Sequence, residues 1–218
     1  MDFDTLDVLY RSRQTILEIL KDKGYVTAPY EKFGPFEIEK MASKDKSLNM
    51  EVRKDVADDF VGLSICRVEY AIPRVKNRIA TFLSKLLKED EEVAEEDAID
   101  TSNTEFMVIT LESINDTFDK AAMNQWVKNR LRIAFFDAHT LVSNPLKHIL
   151  VPLHEVVPEA EHADLLKKYN AENKTKFPII RFHEDIIGRI LGLVPGSIVK
   201  ITRPSPSAGE YTLYRHCV

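Results

Sequence analysis

The feature that most constrains the fold is an alternation of short apolar runs with helical stripes in the first two thirds of the chain. The runs at residues 60–71, 106–111 and 131–136 are rich in β-branched and aromatic residues and have the length of strands. Between them, apolar residues recur at helical spacing within residues 75–86 and 116–130. Alternating strands and helices predict an α/β domain whose strands are at least partly parallel.

An amphipathic helix is predicted at the start of the chain. Asp4 is a suitable N-cap, and Gly24 follows two lysines at the expected end of the helix. The stripe that this helix would bury consists of Leu6, Leu9, Tyr10, Ile16, Leu17 and Leu20.

The last third of the chain has a different pattern and predicts a small α+β module. Its predicted elements are helices at residues 160–169 and 185–191 and strands at residues 198–203 and 211–216. The pair Asn144-Pro145 lies between the two patterns. We therefore predict two domains, at residues 1–145 and 146–218.

The distribution of charge excludes a protein that coats nucleic acid by charge alone. The net charge is −5, made up of −7 in residues 1–145 and +2 in residues 146–218. Much of the acidity lies in residues 89–100, which we interpret as a solvated loop or mobile insertion. No apolar run approaches the roughly 20 residues that span a bilayer, and the acidic start is unlike a signal peptide.

Catalytic and metal sites are not expected. Cys66 and Cys217 form neither a disulfide framework nor a ligand set, and they favour a reducing compartment. The six histidines lack the His-x-x-x-His spacing of a zinc protease, and the seven glycines form no phosphate loop. Consecutive carboxylates such as Glu89 to Glu92 do not converge on one ion. We expect no catalytic residue, no metal and no cofactor.

A long ordered pattern in the last third resembles the fifth subunit of eukaryotic RNA polymerases and its shorter archaeal counterpart. The resemblance begins with residues 154–158 and 166–169, and Pro178 and Asp185 follow at matching gaps. Residues 192–205 and 208–215 continue it. Residues 13–25 are similar to the first helix of the eukaryotic form, whose long N-terminal domain the archaeal counterpart lacks.

The resemblance implies a non-catalytic subunit of a multisubunit DNA-dependent RNA polymerase. Its C-terminal assembly module would dock on the largest subunit, beside neighbouring subunits. Its N-terminal α/β domain, nuclease-like by the same resemblance, would form part of the lower jaw around downstream duplex DNA. The expected location is the nucleus, or the virion and cytoplasmic replication site if a large DNA virus encodes the chain.

The terminal strands of the module supply the docking candidates. Alternation along a strand puts Tyr211 and Leu213 on one face and Thr212 and Tyr214 on the other. We expect one face to pack on the helices of the module and the other to contact a partner, unless the tyrosines complete the module's own core. The docking candidates are Arg203, Pro204, Tyr211, Tyr214 and Arg215, and the structural turn candidates are Gly192, Pro195, Gly196 and Gly209.

The start of the predicted helix at residues 116–130 supplies the candidates for weak, sequence-independent DNA contact. Asn115, Thr117 and Lys120 offer an amide, a hydroxyl and an ammonium near a helix N-terminus, which favours phosphate. The alternative is an ordinary N-cap beside a solvated lysine.

Some positions depart from the family pattern, and two other classes of protein remain as alternatives. Ile179, Ile186 and Glu210 replace residues usual in the family, and Pro206 interrupts the last loop.

A free-standing interaction protein would use the same module with other partners. A structure-selective nuclease would need an Asp and a Glu-x-Lys on adjacent strands, whereas the sole Glu-x-Lys, at residues 172–174, lies on a predicted loop of the other unit.

Overall fold

The computed structural model describes residues 2–44, 46–56, 62–73, 75–91 and 103–218. The chain divides into two compact units, Met1–Asn144 and Pro145–Val218. Each unit has its own sheet and its own buried apolar residues.

The first unit contains a mixed sheet. Its strands are β1 (Met50–Arg53), β2 (Ile65–Ala71), β3 (Thr104–Thr110) and β4 (Arg132–Asp137), in the order β1-β2-β3-β4. β1 pairs antiparallel with β2, whereas the β2–β3 and β3–β4 pairs are parallel. All seven residues of β3 are buried, as expected for an inner strand. The predicted α/β unit with partly parallel strands is therefore confirmed.

Helices complete this unit. They are α1 (Phe3–Asp22), α2 (Pro35–Ala42), α3 (Ile79–Glu91) and α4 (Asp116–Asn129). α1 buries most of the predicted stripe, and Gly24 follows it with φ +88°. α4 packs on the sheet through Phe118, whose ring centroid lies 5.2 Å from that of Phe135 on β4. Both of these rings are fully buried.

Several local predictions in this unit were wrong. Asp2, not Asp4, occupies the N-cap position of α1, because the helix already begins at Phe3. The sequence pattern also missed α2 and β1, which are short and lie among polar residues. α3 continues through Glu91, so the acidic stretch does not begin as a loop, and residues 92–100 lie outside the described residues.

The second unit also contains a mixed sheet. Its strands are β5 (Leu153–Val157), β6 (Ile179–Ile180), β7 (Ile198–Ser205) and β8 (Gly209–Cys217), in the order β5-β7-β8-β6. β7 pairs antiparallel with β5 and β8, and β6 pairs parallel with β8. The helices are α5 (His162–Lys168) and α6 (Ile186–Leu191).

Two small cores lie on opposite faces of this second sheet. One contains Val199, Ile201 and Cys217 with Leu193 from the segment that follows α6. The other contains Ile198 with Leu165 of α5, and it includes Val157, Phe177 and the partly buried Tyr214. Both faces of the sheet are therefore packed within the unit.

Candidate subunit and nucleic-acid interfaces

The β7–β8 hairpin carries the five docking candidates. The register pairs Arg203 with Tyr211 and Pro204 with Glu210. Because side chains alternate along a strand, Arg203, Tyr211 and Arg215 share one face of the hairpin, while Tyr214 lies on the other. Arg203, Pro204 and Tyr211 are exposed, and the tyrosine has 56% of its surface accessible.

Tyr214 differs from the other candidates because it packs inside the unit. Its ring centroid lies 5.4 Å from that of Tyr169 and 6.3 Å from that of Phe177. The face that carries Tyr214 packs on α5 and its neighbours, as expected for one face of the hairpin. Tyr214 therefore completes the core of its own unit, which was the alternative to a docking role. The other face packs around Leu193 near Val199 and is exposed farther out, at Arg203 and Tyr211.

Arg215 is half-buried beside the short strand β6. Its Nη1 donates a hydrogen bond of 3.2 Å to the carbonyl of Ile179. Its buried Nε has no hydrogen-bond partner among the described residues. A guanidinium held in this way has donor capacity left for a further acceptor.

The predicted structural turn orients β7 for its pairing with β8. Ser197 N–H donates to the carbonyl of Val194 at 3.0 Å, and Gly196 has φ +96°, as in a type II turn with Pro195 before the glycine. Gly196 N–H also donates to the carbonyl of Cys217 at 2.9 Å. Gly192 is the C-cap of α6 and Gly209 begins β8, and both also have positive φ angles.

The DNA-facing candidates lie at the N-terminus of α4. Asn115 is the N-cap, and its side chain accepts a hydrogen bond from Thr117 N–H at 3.2 Å. Thr117 and Lys120 are exposed, but the first turn also carries Asp116 and Asp119. These two carboxylates oppose an anion near the helix terminus. The geometry of Asn115 is that of an ordinary N-cap, and a phosphate contact depends on the exposed hydroxyl and ammonium.

A buried ionic cluster in the first unit was not predicted. The side chain of Glu105, at the start of β3, accepts hydrogen bonds from Lys23 Nζ at 2.5 Å and Tyr25 Oη at 3.0 Å. Only 5% of the glutamate side chain is exposed. Lys54 lies over the Tyr25 ring at 4.8 Å, and Arg132 is the register neighbour of Glu105 on β4.

Burial and these neighbours shift the ionisation of the cluster. Burial and then the nearby carboxylate of Glu105 raise the pKa of Tyr25. Burial and then repulsion from Lys23 lower the pKa of Lys54, and burial lowers the pKa of Arg132. Several cations thus surround one buried carboxylate, which makes that carboxylate important for the stability of the unit.

Reactive and metal-binding groups are scarce in the described part of the chain. Both cysteines are buried, and burial raises the pKa of the Cys66 thiol well above its usual value and that of Cys217 to about 12. Within the described ranges, no group of three or more His, Cys, Asp and Glu side chains could hold a metal ion. In the same ranges, no helix is long and apolar enough to cross a membrane.

Burial perturbs the ionisation of His216. Its ring is buried in the second unit, and burial followed by repulsion from Lys174 and His162 lowers its pKa below 6.5. The unfolded chain therefore binds a proton at a higher pH than the folded chain does. The stability that the neutral ring provides is present above about pH 6.5 and is lost as the pH falls below it.

Comparison with known proteins assigns the second unit to a family. A family model described as "RNA polymerase Rpb5, C-terminal domain" matches residues 143–217. The RNA polymerase subunit Rpo5 of Nitrosopumilus maritimus is 46% identical over 72 residues, which cover 83% of that protein and 33% of this chain. The chain belongs to the Rpb5 family of RNA polymerase subunits.

The eukaryotic members of this Rpb5 family match along the whole chain. The Dictyostelium discoideum protein named as subunit rpabc1 of DNA-directed RNA polymerases I, II and III is 26% identical over 216 residues. That match covers 99% of this chain and all of the relative. The corresponding protein of Caenorhabditis elegans is 27% identical over 218 residues, covering 95% of this chain. The first unit therefore has counterparts in the eukaryotic proteins, whereas the archaeal match covers one third of the chain.

Proposed function

We propose that the chain is a non-catalytic subunit of a multisubunit DNA-dependent RNA polymerase. The observation that carries this proposal is the match to the Dictyostelium subunit, which covers 99% of this chain and all of the relative. The chain would act by binding, with no catalytic residue of its own. In a eukaryotic cell it would work in the nucleus, and a virus-encoded copy would work at the cytoplasmic replication site and enter the virion.

The second unit would dock on the largest subunit. The exposed outer part of the hairpin, at Arg203 and Tyr211, supports this role, because aromatic and arginine side chains bury area and still form directed hydrogen bonds. Pro204 and Arg215 extend the same hairpin, and Tyr214 would contribute by holding the strand against the unit's core.

The first unit would form part of the lower jaw near downstream DNA. Thr117 and Lys120 support a weak contact with phosphates, because both are exposed at the N-terminus of α4. Such a contact would not depend on sequence and would weaken as salt increases.

Affinity purification tests the docking role. The tagged chain should recover the large polymerase subunits, and deletion of residues 145–218 should abolish this recovery while deletion of 1–144 leaves it. A double variant, Arg203→Ala with Tyr211→Ala, should also lose the large subunits without a change in melting temperature. The matched control is Asp164→Ala with Lys167→Ala, an exposed pair on α5 of the same unit. Equal recovery with both double variants would show that the hairpin face is not the docking surface.

A salt challenge of elongation complexes tests the jaw role. Lys120→Ala should reduce the fraction of complexes that survive raised salt, because one phosphate contact is lost. Lys128→Ala is the control, since this exposed lysine lies in the last turn of the same helix. Equal survival of the two variants would argue against a contact at the start of α4.

A further inference from the structure

The outer edge of β8 is longer than the strand that covers it. β8 runs from Gly209 to Cys217, and β7 pairs with it along residues 209–216. On the other side, β6 has two residues, which pair with His216 and Cys217. In the described part of the chain, residues 210–215 of β8 thus have no neighbouring strand on that side.

The hydrogen bonds at the end of β8 show which backbone groups point to this outer edge. Cys217 N–H donates to Ser197 before β7, whereas His216 N–H donates to Pro178 beside β6, both at 2.8 Å. Backbone groups in an antiparallel ladder alternate between the two sides, so Leu213 faces β7 and Thr212 and Tyr214 face outward.

Two prolines agree with this assignment. Pro204 lies opposite Glu210. By the alternation, the backbone groups of this pair point away from each other, so proline costs no hydrogen bond between β7 and β8. Pro178 precedes β6, and the parallel register would make its nitrogen the donor to the carbonyl of Tyr214. Proline has no N–H, so the pairing of β6 with β8 stops there.

The outward N–H and C=O groups of Thr212 and Tyr214 therefore lack backbone partners among the described residues. A row of such groups is a template for another extended chain. β5 forms the opposite edge of the sheet. By the same alternation, the backbone N–H and C=O groups of His154 and Val156 point outward there.

We propose that an extended segment of the polymerase partner subunit adds to the sheet along β8, beside Thr212 and Tyr214. This inference rests on the proposed function and specifies how the second unit is held. Main-chain hydrogen bonds would supply the attachment, as in other cases of strand addition. On one face, the added segment meets the partly buried Leu213 and the guanidinium of Arg215. That face selects an aliphatic residue and, two positions away, an acidic one.

Proline substitution tests the edge in the full-length chain. Thr212→Pro removes an outward N–H and leaves the ladder with β7 intact, so the recovery of large polymerase subunits should fall by about tenfold. Val156→Pro makes the same change on the edge of β5 and should leave recovery at the wild-type level. Circular dichroism and melting temperature verify that both variants fold.

Hydrogen exchange gives a readout that does not depend on a variant. In the chain alone, the amides of Thr212 and Tyr214 should exchange quickly and that of Leu213 slowly. In the purified polymerase, all three should exchange slowly. If the wild-type chain recovers no polymerase, the proposed function fails. If the polymerase is recovered but the two amides remain unprotected, or Val156→Pro alone blocks recovery, the assignment to β8 is wrong.

Discussion

Replacement of Glu105 by glutamine tests the buried ionic cluster of the first unit. The substitution keeps the shape of the side chain but leaves Lys23, Lys54 and Arg132 without their carboxylate. Removal of one partner of a buried ion pair costs about 3–5 kcal/mol, and we expect about 3 kcal/mol here because 18% of the Lys23 side chain remains exposed. For a unit of this size, that free energy corresponds to a fall of roughly 6–12 °C in melting temperature.

The single tryptophan, Trp126, makes this measurement specific to the first unit. It lies on α4 with the guanidinium groups of Arg130 and Arg132 over its ring at 5.2 and 5.7 Å, so its fluorescence reports unfolding there. Glu31→Gln is the control, because this exposed carboxylate pairs with Lys21 at the surface and should barely matter. Equal urea midpoints for Glu105→Gln and Glu31→Gln would refute the role given to the cluster.

Three further predictions concern packing, protonation and backbone conformation. Phe118→Ala should lower the free energy of unfolding by about 3–5 kcal/mol, and Phe36→Ala, at an exposed ring, by less than about 1 kcal/mol in the same urea titration. His216 should titrate below pH 6.5 in a proton NMR experiment, and His216→Gln should reduce the loss of stability of the second unit between pH 7 and 5.5. A midpoint at or above 6.5 for His216 would contradict the burial argument. Gly196→Ala should destabilise the second unit by about 1 kcal/mol because its φ is +96°, although no atom lies within 4 Å of the added carbon; an unchanged melting temperature would show that the turn tolerates a side chain.

Elements with strong local patterns could be predicted from the sequence. The apolar run at residues 106–111 became the buried strand β3, and the stripe before Gly24 became α1. The Pro195-Gly196 pair indicated a turn because only a few residue types suit its backbone angles. In each case the information lies within a few residues of the element.

The missed elements depend on distant partners. β1 and β5 have four and five residues, and each is defined by its pairing with β2 or β7 rather than by its own composition. The ionic cluster was not visible because Lys23 and Glu105 are 82 residues apart. The one local sign of the cluster is the position of Glu105, a charged residue directly before the apolar run at residues 106–111.

For the candidate interface, the sequence indicated residue types but not their geometry. Alternation correctly separated Tyr211 from Tyr214, yet it could not indicate which face the rest of the unit covers. Nor could it reveal the outward edge at Thr212, because that edge exists through the shortness of β6 and the position of Pro178. These features follow from strand order, which the sequence pattern did not contain.

Promoter-independent transcription by the material purified with the tagged, intact chain tests the central claim most directly. The large polymerase subunits and RNA synthesis should elute together with the chain, which should be present in one-to-one stoichiometry with the largest subunit. Recovery of the chain alone, or with unrelated proteins and no RNA synthesis, would contradict it and favour a free-standing interaction protein.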